Sequence, residues 1–202
     1  MEKLKYTSDI AFTTAVKAIQ ESHHSRSNYA RMEESGGWQK AITPQLENFL
    51  VDMDSFYLST SNVDGQPYTQ HRGGPKGFLK VLDIHTLAFA DFGGNRQYIT
   101  AGNLSENNKA FIFLMDYTTQ TRIKVWGTAK IDDQDQQLMK KLSDEPYKAR
   151  IERSIIFTVE AWDVNCRQHI QKRFTEEDVA LITTPLKNKI KELEVLLKKS
   201  RL

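Results

Sequence analysis

The sequence predicts a mainly β fold, a small antiparallel barrel of six or so strands with helices at both ends. Three observations carry this. Short runs with strand patterning follow one another from Ser55 to about residue 159, separated by turn signals. Helical spacing of apolar residues is confined to the two ends of the chain. Only one short helix interrupts the strands, too little for a doubly wound parallel sheet.

Three segments follow: residues 1–54, helical and packing on the barrel; 55–174, the barrel; and 175–202, a C-terminal helix. At the N-terminus, Ser8 or Asp9 can cap a helix whose apolar residues Ile10, Ala11, Ala15, Ala18 and Ile19 recur at helical spacing. It ends in the polar run of residues 21–28. Thr43-Pro44 starts a second helix, with Thr as N-cap, Pro in the first turn, and Leu46, Phe49, Leu50 and Met53 on one face. The strands then run over 55–61 and 66–72, joined by an Asn62-Val63-Asp64-Gly65 turn, and over 78–82, 86–91, 110–115, 122–131 and 154–159. In the 122–131 strand Ile123, Val125, Ala129 and Ile131 point one way and Arg122, Lys124, Trp126, Thr128 and Lys130 the other. A helix is expected between residues 134 and 142.

From Thr175, with Asp178 three residues on, a capping-box-like start opens the C-terminal helix, and Lys198, Lys199 and Arg201 suit its end. Pro185 is expected to interrupt it. Beyond that point Leu186, Ile190, Leu193 and Leu197 form a stripe at coiled-coil spacing, either packed on the chain's own barrel or at a subunit interface.

Composition bounds the function. The 202 residues carry 28 Lys+Arg and 26 Asp+Glu, a net charge of +2, with 39% apolar residues, as in an ordinary globular protein. No strongly basic face is expected, and the Lys-rich tail reads as a solvated helix, so nucleic acid is not a predicted partner. The longest purely apolar run, residues 111–115, is far short of a membrane span, and the first 20 residues lack the apolar stretch of a secretion signal. A cytoplasmic protein is the expectation. Cys166 is the single cysteine, and neither its pairing with His169 nor the five histidines make a metal set by spacing. No Walker loop, dinucleotide fingerprint or nucleophile elbow is present.

Two Gly-rich cationic turns could carry chemistry: His71-Arg72-Gly73-Gly74-Pro75-Lys76-Gly77 and Phe92-Gly93-Gly94-Asn95-Arg96-Gln97. Glycine lets backbone approach a ligand, and Arg offers a fork that matches phosphate oxygens. If Gln97 opens a helix, its N-terminal N–H groups add to the same anion site. The stretch from Pro75 to Lys80, then Ala90-Asp91, then Gly94-Asn95-Arg96-Gln97, then Arg122 before Val125-Trp126-Gly127, resembles the FMN-binding split barrel of the pyridoxamine 5′-phosphate oxidase family. Asn165-Cys166-x-x-His169-Ile170, together with the two turns, resembles an uncharacterised bacterial subgroup.

The resemblance implies a six-stranded split barrel binding FMN through Pro75, Lys76, Gly77, Phe78, Leu79, Lys80, Ala90, Asp91, Asn95, Arg96, Gln97, Arg122 and Trp126. Arg96 falls at the phosphate-binding Arg, and Lys80 at the Lys beside the flavin. Gln97 stands where the vitamin B6 oxidases carry Lys, and Arg122 where the family uses Gln. Asp91 replaces a small hydroxyl residue and is expected to hold Arg96 or a ring N–H. His71, Arg72, Cys166 and His169 are candidate substrate-pocket residues, and no catalytic residue is implied. The resemblance further implies a homodimer with FMN at the interface, and an oxidoreductase passing hydride or electrons between a reduced donor and a small acceptor. The alternative is a non-enzymatic flavin- or haem-binding sensor or carrier on the same barrel.

Overall fold

The structure is a computed structural model and describes residues 5–144 and 147–200. It divides into two compact units, residues 1–115 with 122–166, and residues 116–121 with 167–202.

The first unit holds an antiparallel sheet of seven strands in the order β2-β1-β5-β6-β7-β4-β3. The strands are β1 (Ser55–Ser61), β2 (Pro67–Gly73), β3 (Lys80–Asp83), β4 (Thr86–Phe92), β5 (Lys109–Asp116), β6 (Thr121–Asp132) and β7 (Ile151–Val164). The mainly β fold class therefore holds, with seven strands where six were expected. The sheet is open, with β2 and β3 as its edges. It curls so that these two ends approach through side chains: Arg72 of β2 pairs with Asp91 of β4, and Phe56 of β1 packs edge-on to Phe89 of β4 at 5.0 Å. Inside the curl lies one core, including Leu46, Leu58, Ile112, Val125, Ile155 and Phe157, each 0% exposed. A second, small cluster of Ala88, Ala90 and Leu142 occupies the other face of β4.

The long partner strand β7 exists because it pairs with both β4 and β6, while a register shift at Trp126/Gly127 lets it bend between them. Gly127 is required there, since a Cβ would stand 1.9 Å from the Thr158 carbonyl oxygen. The β1–β2 hairpin turns at Asn62–Gly65 as expected: Gly65 has φ of 83°, and Asn62 Oδ1 accepts from Gln66 N at 2.9 Å.

Three expectations change. The stretch before β3 is a turn followed by a strand, because Phe78 N–H donates to Pro75 O at 3.0 Å and Gly77 takes φ of 72°. The strand begins only at Lys80. The N-terminal helix starts later than Ser8: Thr7–Ile10 is a single 3-10 turn, and Thr13 caps α1 (Thr14–Ser22). A further helix α2 (Arg26–Glu34) follows in the polar stretch. Its anchor is ionic: Glu33, 5% exposed, accepts from Ser8 Oγ at 2.8 Å and pairs with Arg26, which also donates to Gln20 Oε1 at 2.6 Å. Ile19 of the expected apolar stripe is 60% exposed.

Helix α3 (Pro44–Val51) begins at Thr43, whose Oγ1 accepts from Leu46 N at 3.4 Å, and buries Leu46 and Leu50. Helix α4 (Ile99–Glu106) follows β4, and α5 (Gln136–Lys141) is capped by Asp135.

In the second unit, Thr118 Oγ1 donates to Arg173 O at 3.2 Å and Gln120 Nε2 to Ile170 O at 2.5 Å. Its helix α6 (Glu176–Ser200) starts with the expected reciprocal cap, Thr175 N to Asp178 Oδ2 at 2.9 Å and Asp178 N to Thr175 Oγ1 at 3.1 Å. The helix runs through Pro185 without a break. The lost N–H costs a helix about 3 kcal/mol, but on an exposed helix water satisfies the freed carbonyl and 25 residues spread the cost. Among the described residues, no helix is long and apolar enough to cross a membrane.

Candidate functional site

Strand alternation decides which side chains meet. On β2, Tyr68, Gln70 and Arg72 share one face, and His71 takes the other, beside Tyr57 at 5.6 Å. On β4, Leu87 and Phe89 point into the core, and Asp91, of the same parity, continues that face to the end of the sheet. Beyond Asp91 the chain cannot stay extended, because Gly93 and Gly94 loosen it and Arg96 and Tyr98 adopt left-handed conformations with φ of 60° and 52°. Two non-glycine residues in that region within three positions are a strained arrangement of the kind that ligand-binding loops retain. Helix α4 opens at Ile99, two residues after the expected Gln97, with no side-chain cap on its free N–H groups.

These segments enclose a cleft of about 220 Å3, lined by Arg72, Asp91, Arg96, Tyr98, Glu152 and Arg153 among others. Asp91 is its hub. One carboxylate oxygen pairs with Arg72 and the other lies 3.0 Å from Arg153 Nε, in ion-pair range but off the hydrogen-bond axis. Arg153 Nη2 reaches Glu152 at 2.9 Å. Asp91 thus holds Arg72 and Arg153, not Arg96 as expected from the sequence. The Nε atoms of both arginines are buried and carry no hydrogen-bond partner. Arg153 also stacks its guanidinium 5.0 Å from the Tyr98 ring. Asn95, Arg96 and Gln97 are exposed at the rim, and Asn95 Oδ1 accepts from Gln97 N at 3.2 Å.

The other sequence-predicted residues do not all join them. Lys80 and Ala90 lie on the opposite face of the β3–β4 pair: Ala90 packs under Leu142, and Lys80 Nζ is 3.0 Å from Asp144 Oδ1. Lys76, Gly77 and Leu79 line a separate shallow cleft with Lys80, while Phe78 and Leu79 are themselves core, each 2% exposed. Pro75 forms the turn above them. Trp126 stacks on Trp38 at 4.6 Å between rings, with Lys124 Nζ 5.2 Å above it. Arg122 has a buried Nε with no partner, in neither cleft. Cys166 ends the first unit with an exposed thiol, and His169, φ 63°, belongs to the second. Sequence reasoning missed Glu152 and Arg153; the signal was an acid–base pair just ahead of the apolar run of β7, about 60 residues from the loop it serves.

Comparison with known proteins decides the family. The model of the pyridoxamine 5′-phosphate oxidase family matches residues 42–187, well over half of the sequence. The chain belongs to this family. Among solved structures, HupZ of Group A Streptococcus superposes with a TM-score of 0.51 at 18% identity, over 66% of this chain and 100% of that one. An FMN-binding protein from Syntrophomonas wolfei gives 0.47 at 14%, over 75% and 97%. A Clostridium acetobutylicum protein of the pyridoxinephosphate oxidase family gives 0.46 at 17%, over 68% and 99%. At these identities the likeness to HupZ speaks for the fold. No curated protein matches the sequence.

Proposed function

We propose that this chain binds FMN without a covalent bond and acts as a cytoplasmic, homodimeric oxidoreductase, exchanging hydride or electrons between a reduced donor and a small acceptor. The observation that carries the reading is the cleft beside the Gly93-Gly94-Asn95-Arg96 loop, where three guanidinium groups, those of Arg72, Arg96 and Arg153, outnumber the carboxylates of Asp91 and Glu152. The exposed Arg96 guanidinium on a strained loop, with two more guanidinium groups behind it, suits a phosphate dianion. The volume, about 220 Å3, is below the roughly 300–1,000 Å3 of a complete ligand pocket, which agrees with a site completed by a second copy.

In this reading Arg96 binds the phosphate from the rim and Asn95 and Gln97 add neutral hydrogen bonds. Arg72 and Arg153, fixed by Asp91, set the positive potential behind them. The flavin supplies the redox chemistry when bound, and the protein supplies position and charge. The parts played by Lys80, Ala90, Arg122 and Trp126 rest on family membership alone.

The test compares FMN with riboflavin, which lacks the phosphate, by absorbance and fluorescence titration of the wild type and of Arg96→Gln. Losing one charge-assisted contact of about 1.5–3 kcal/mol weakens FMN roughly 10- to 150-fold and leaves riboflavin unchanged. No retained flavin after incubation with excess FMN refutes the site. Flavin that NADPH and NADH fail to bleach under anaerobic conditions keeps the site, rules out a nicotinamide donor and favours a carrier or sensor.

A further inference from the structure

Every large apolar side chain on α6 faces solvent within its unit: Val179, Leu186, Ile190, Leu193 and Leu197 are 47–60% exposed, and Leu181, Ile182, Val195 and Leu196, on the adjoining f and g positions, 51–76%. With Ile190 at heptad position a, these five fall at d, d, a, d and a; the seam is unbroken from Leu186 to Leu197, and Thr183 fills the a position between Val179 and Leu186. Ile at a with Leu at d is the combination that favours two parallel strands. Pro185 then lies at position c, on the far side of the helix, where its ring does not enter the seam. The charges complement as well. Lys189 falls at g and Glu194 at e, and in a parallel in-register pair the g residue of one helix meets the e residue five positions on in the other, here Lys189 against Glu194 of the second copy. Within the chain Lys189 makes only an exposed i,i+3 contact with Glu192 at 3.1 Å, which is worth little.

We infer that α6 is a homotypic docking surface, pairing in parallel and in register with α6 of a second copy of this chain. Covering the five seam residues on both copies removes about 1,000 Å2 from water, the lower bound of a specific interface. The pairing needs no flavin, so it stands or falls separately from the proposed function.

Disulfide trapping tests it in the full-length protein, with Cys166→Ser removing the native thiol and oxidised glutathione as the oxidant. In that background Ile190→Cys and Leu193→Cys place symmetry-related sulfurs across the seam within bonding reach, and about fivefold more covalent dimer is expected than from Lys191→Cys at position b. Lys189→Glu on the Ile190→Cys chain lowers the yield, and adding Glu194→Lys restores it. Equal trapping at all three positions, or none at any, overturns the inference. Trapping of a Leu186→Cys chain with a Leu197→Cys chain, in place of trapping at 190, overturns the parallel orientation.

Discussion

Asp91→Asn is the substitution that tests most directly how the cleft is held. The change keeps the shape of the side chain and one acceptor, and removes the negative charge between Arg72 and Arg153. Asp91, Arg72 and Arg153 side chains are 14, 12 and 18% exposed, so water screens their attraction poorly. At an effective dielectric of 20 a contact at 3.0 Å is worth about 5–6 kcal/mol before desolvation. Removing one member of a buried ion pair costs about 3–5 kcal/mol, because the remaining charge is left uncompensated. The residual exposure of all three groups places Asp91→Asn near the lower end, about 3 kcal/mol. At 2–4 °C per kcal/mol for a chain of this size, the melting temperature falls by about 6–12 °C. Thermal unfolding followed by circular dichroism reads this directly. A second readout is specific to the cleft: inorganic phosphate raises the melting temperature of the variant more than that of the wild type, since it returns negative charge beside the two guanidinium groups. A melting temperature within 2 °C of wild type, with no added response to phosphate, refutes the assignment of Asp91 as the hub.

Other consequences are equally open to measurement. Gly127→Ala sets a Cβ 1.9 Å from Thr158 O and 2.8 Å from Phe157 Cε1, so the β6–β7 ladder must part, at a cost above about 3 kcal/mol. Gly102→Ala meets open space inside α4 and adds about 0.5–1 kcal/mol; urea unfolding of the two variants distinguishes a blocked glycine from a spare one. Burial alone would push the Asp9 carboxyl up, but hydrogen bonds from Lys17 Nζ at 2.5 Å and the Tyr6 and Lys5 N–H groups hold it below its ordinary 3.8. Its contribution is complete above that unfolded value and is lost as pH falls through the lower folded one. Asp9→Asn therefore flattens the decline of the urea midpoint below about pH 4 and leaves its slope above pH 5 unchanged.

Elements specified by local chemistry were readable in the sequence. Thr43-Pro44 and the Thr175–Asp178 pair are caps that hydrogen-bond as their positions require. The alternation in β6 buries Ile123, Val125 and Ala129. Elements held by long-range polar contacts were not. Helix α2 has no apolar stripe to announce it, because its inward residue is Glu33, neutralised by Arg26 and bonded by a serine 25 residues earlier. The candidate site divides the same way. The glycines and Arg96 are legible as a loop that turns sharply and carries a cation. That Asp91 would turn to Arg72 and Arg153 depends on a curled sheet bringing β2 to β4 and on the β4–β7 ladder that sets Arg153 opposite Asp91, which no local pattern encodes. Alternation along the 86–91 strand does imply that Ala90 and Asp91 face opposite ways, but that Lys80 shares the face of Ala90 depends on the β3–β4 register, which spacing does not reveal.

The open sheet leaves β2 as a seven-residue outer strand with unpaired backbone groups along one side. Such a margin is a template for a stray chain, and cells meet unfolded polypeptide continuously. The composition of β2 discourages that encounter: proline at its start removes one donor, Thr69 and His71 are exposed and hydrated, Gln70 and Arg72 are polar groups turned to the cleft, and Tyr68 is its single large apolar side chain. Thr100 of α4 donates to Gln70 at 2.9 Å, partly covering the strand. The same polar side chains that line the cleft from β2 therefore also serve as its solubility guard. Substitutions at Gln70 or Arg72 that enlarge the cleft with apolar residues carry a hidden liability, visible as turbidity at high concentration before any loss of binding is measured.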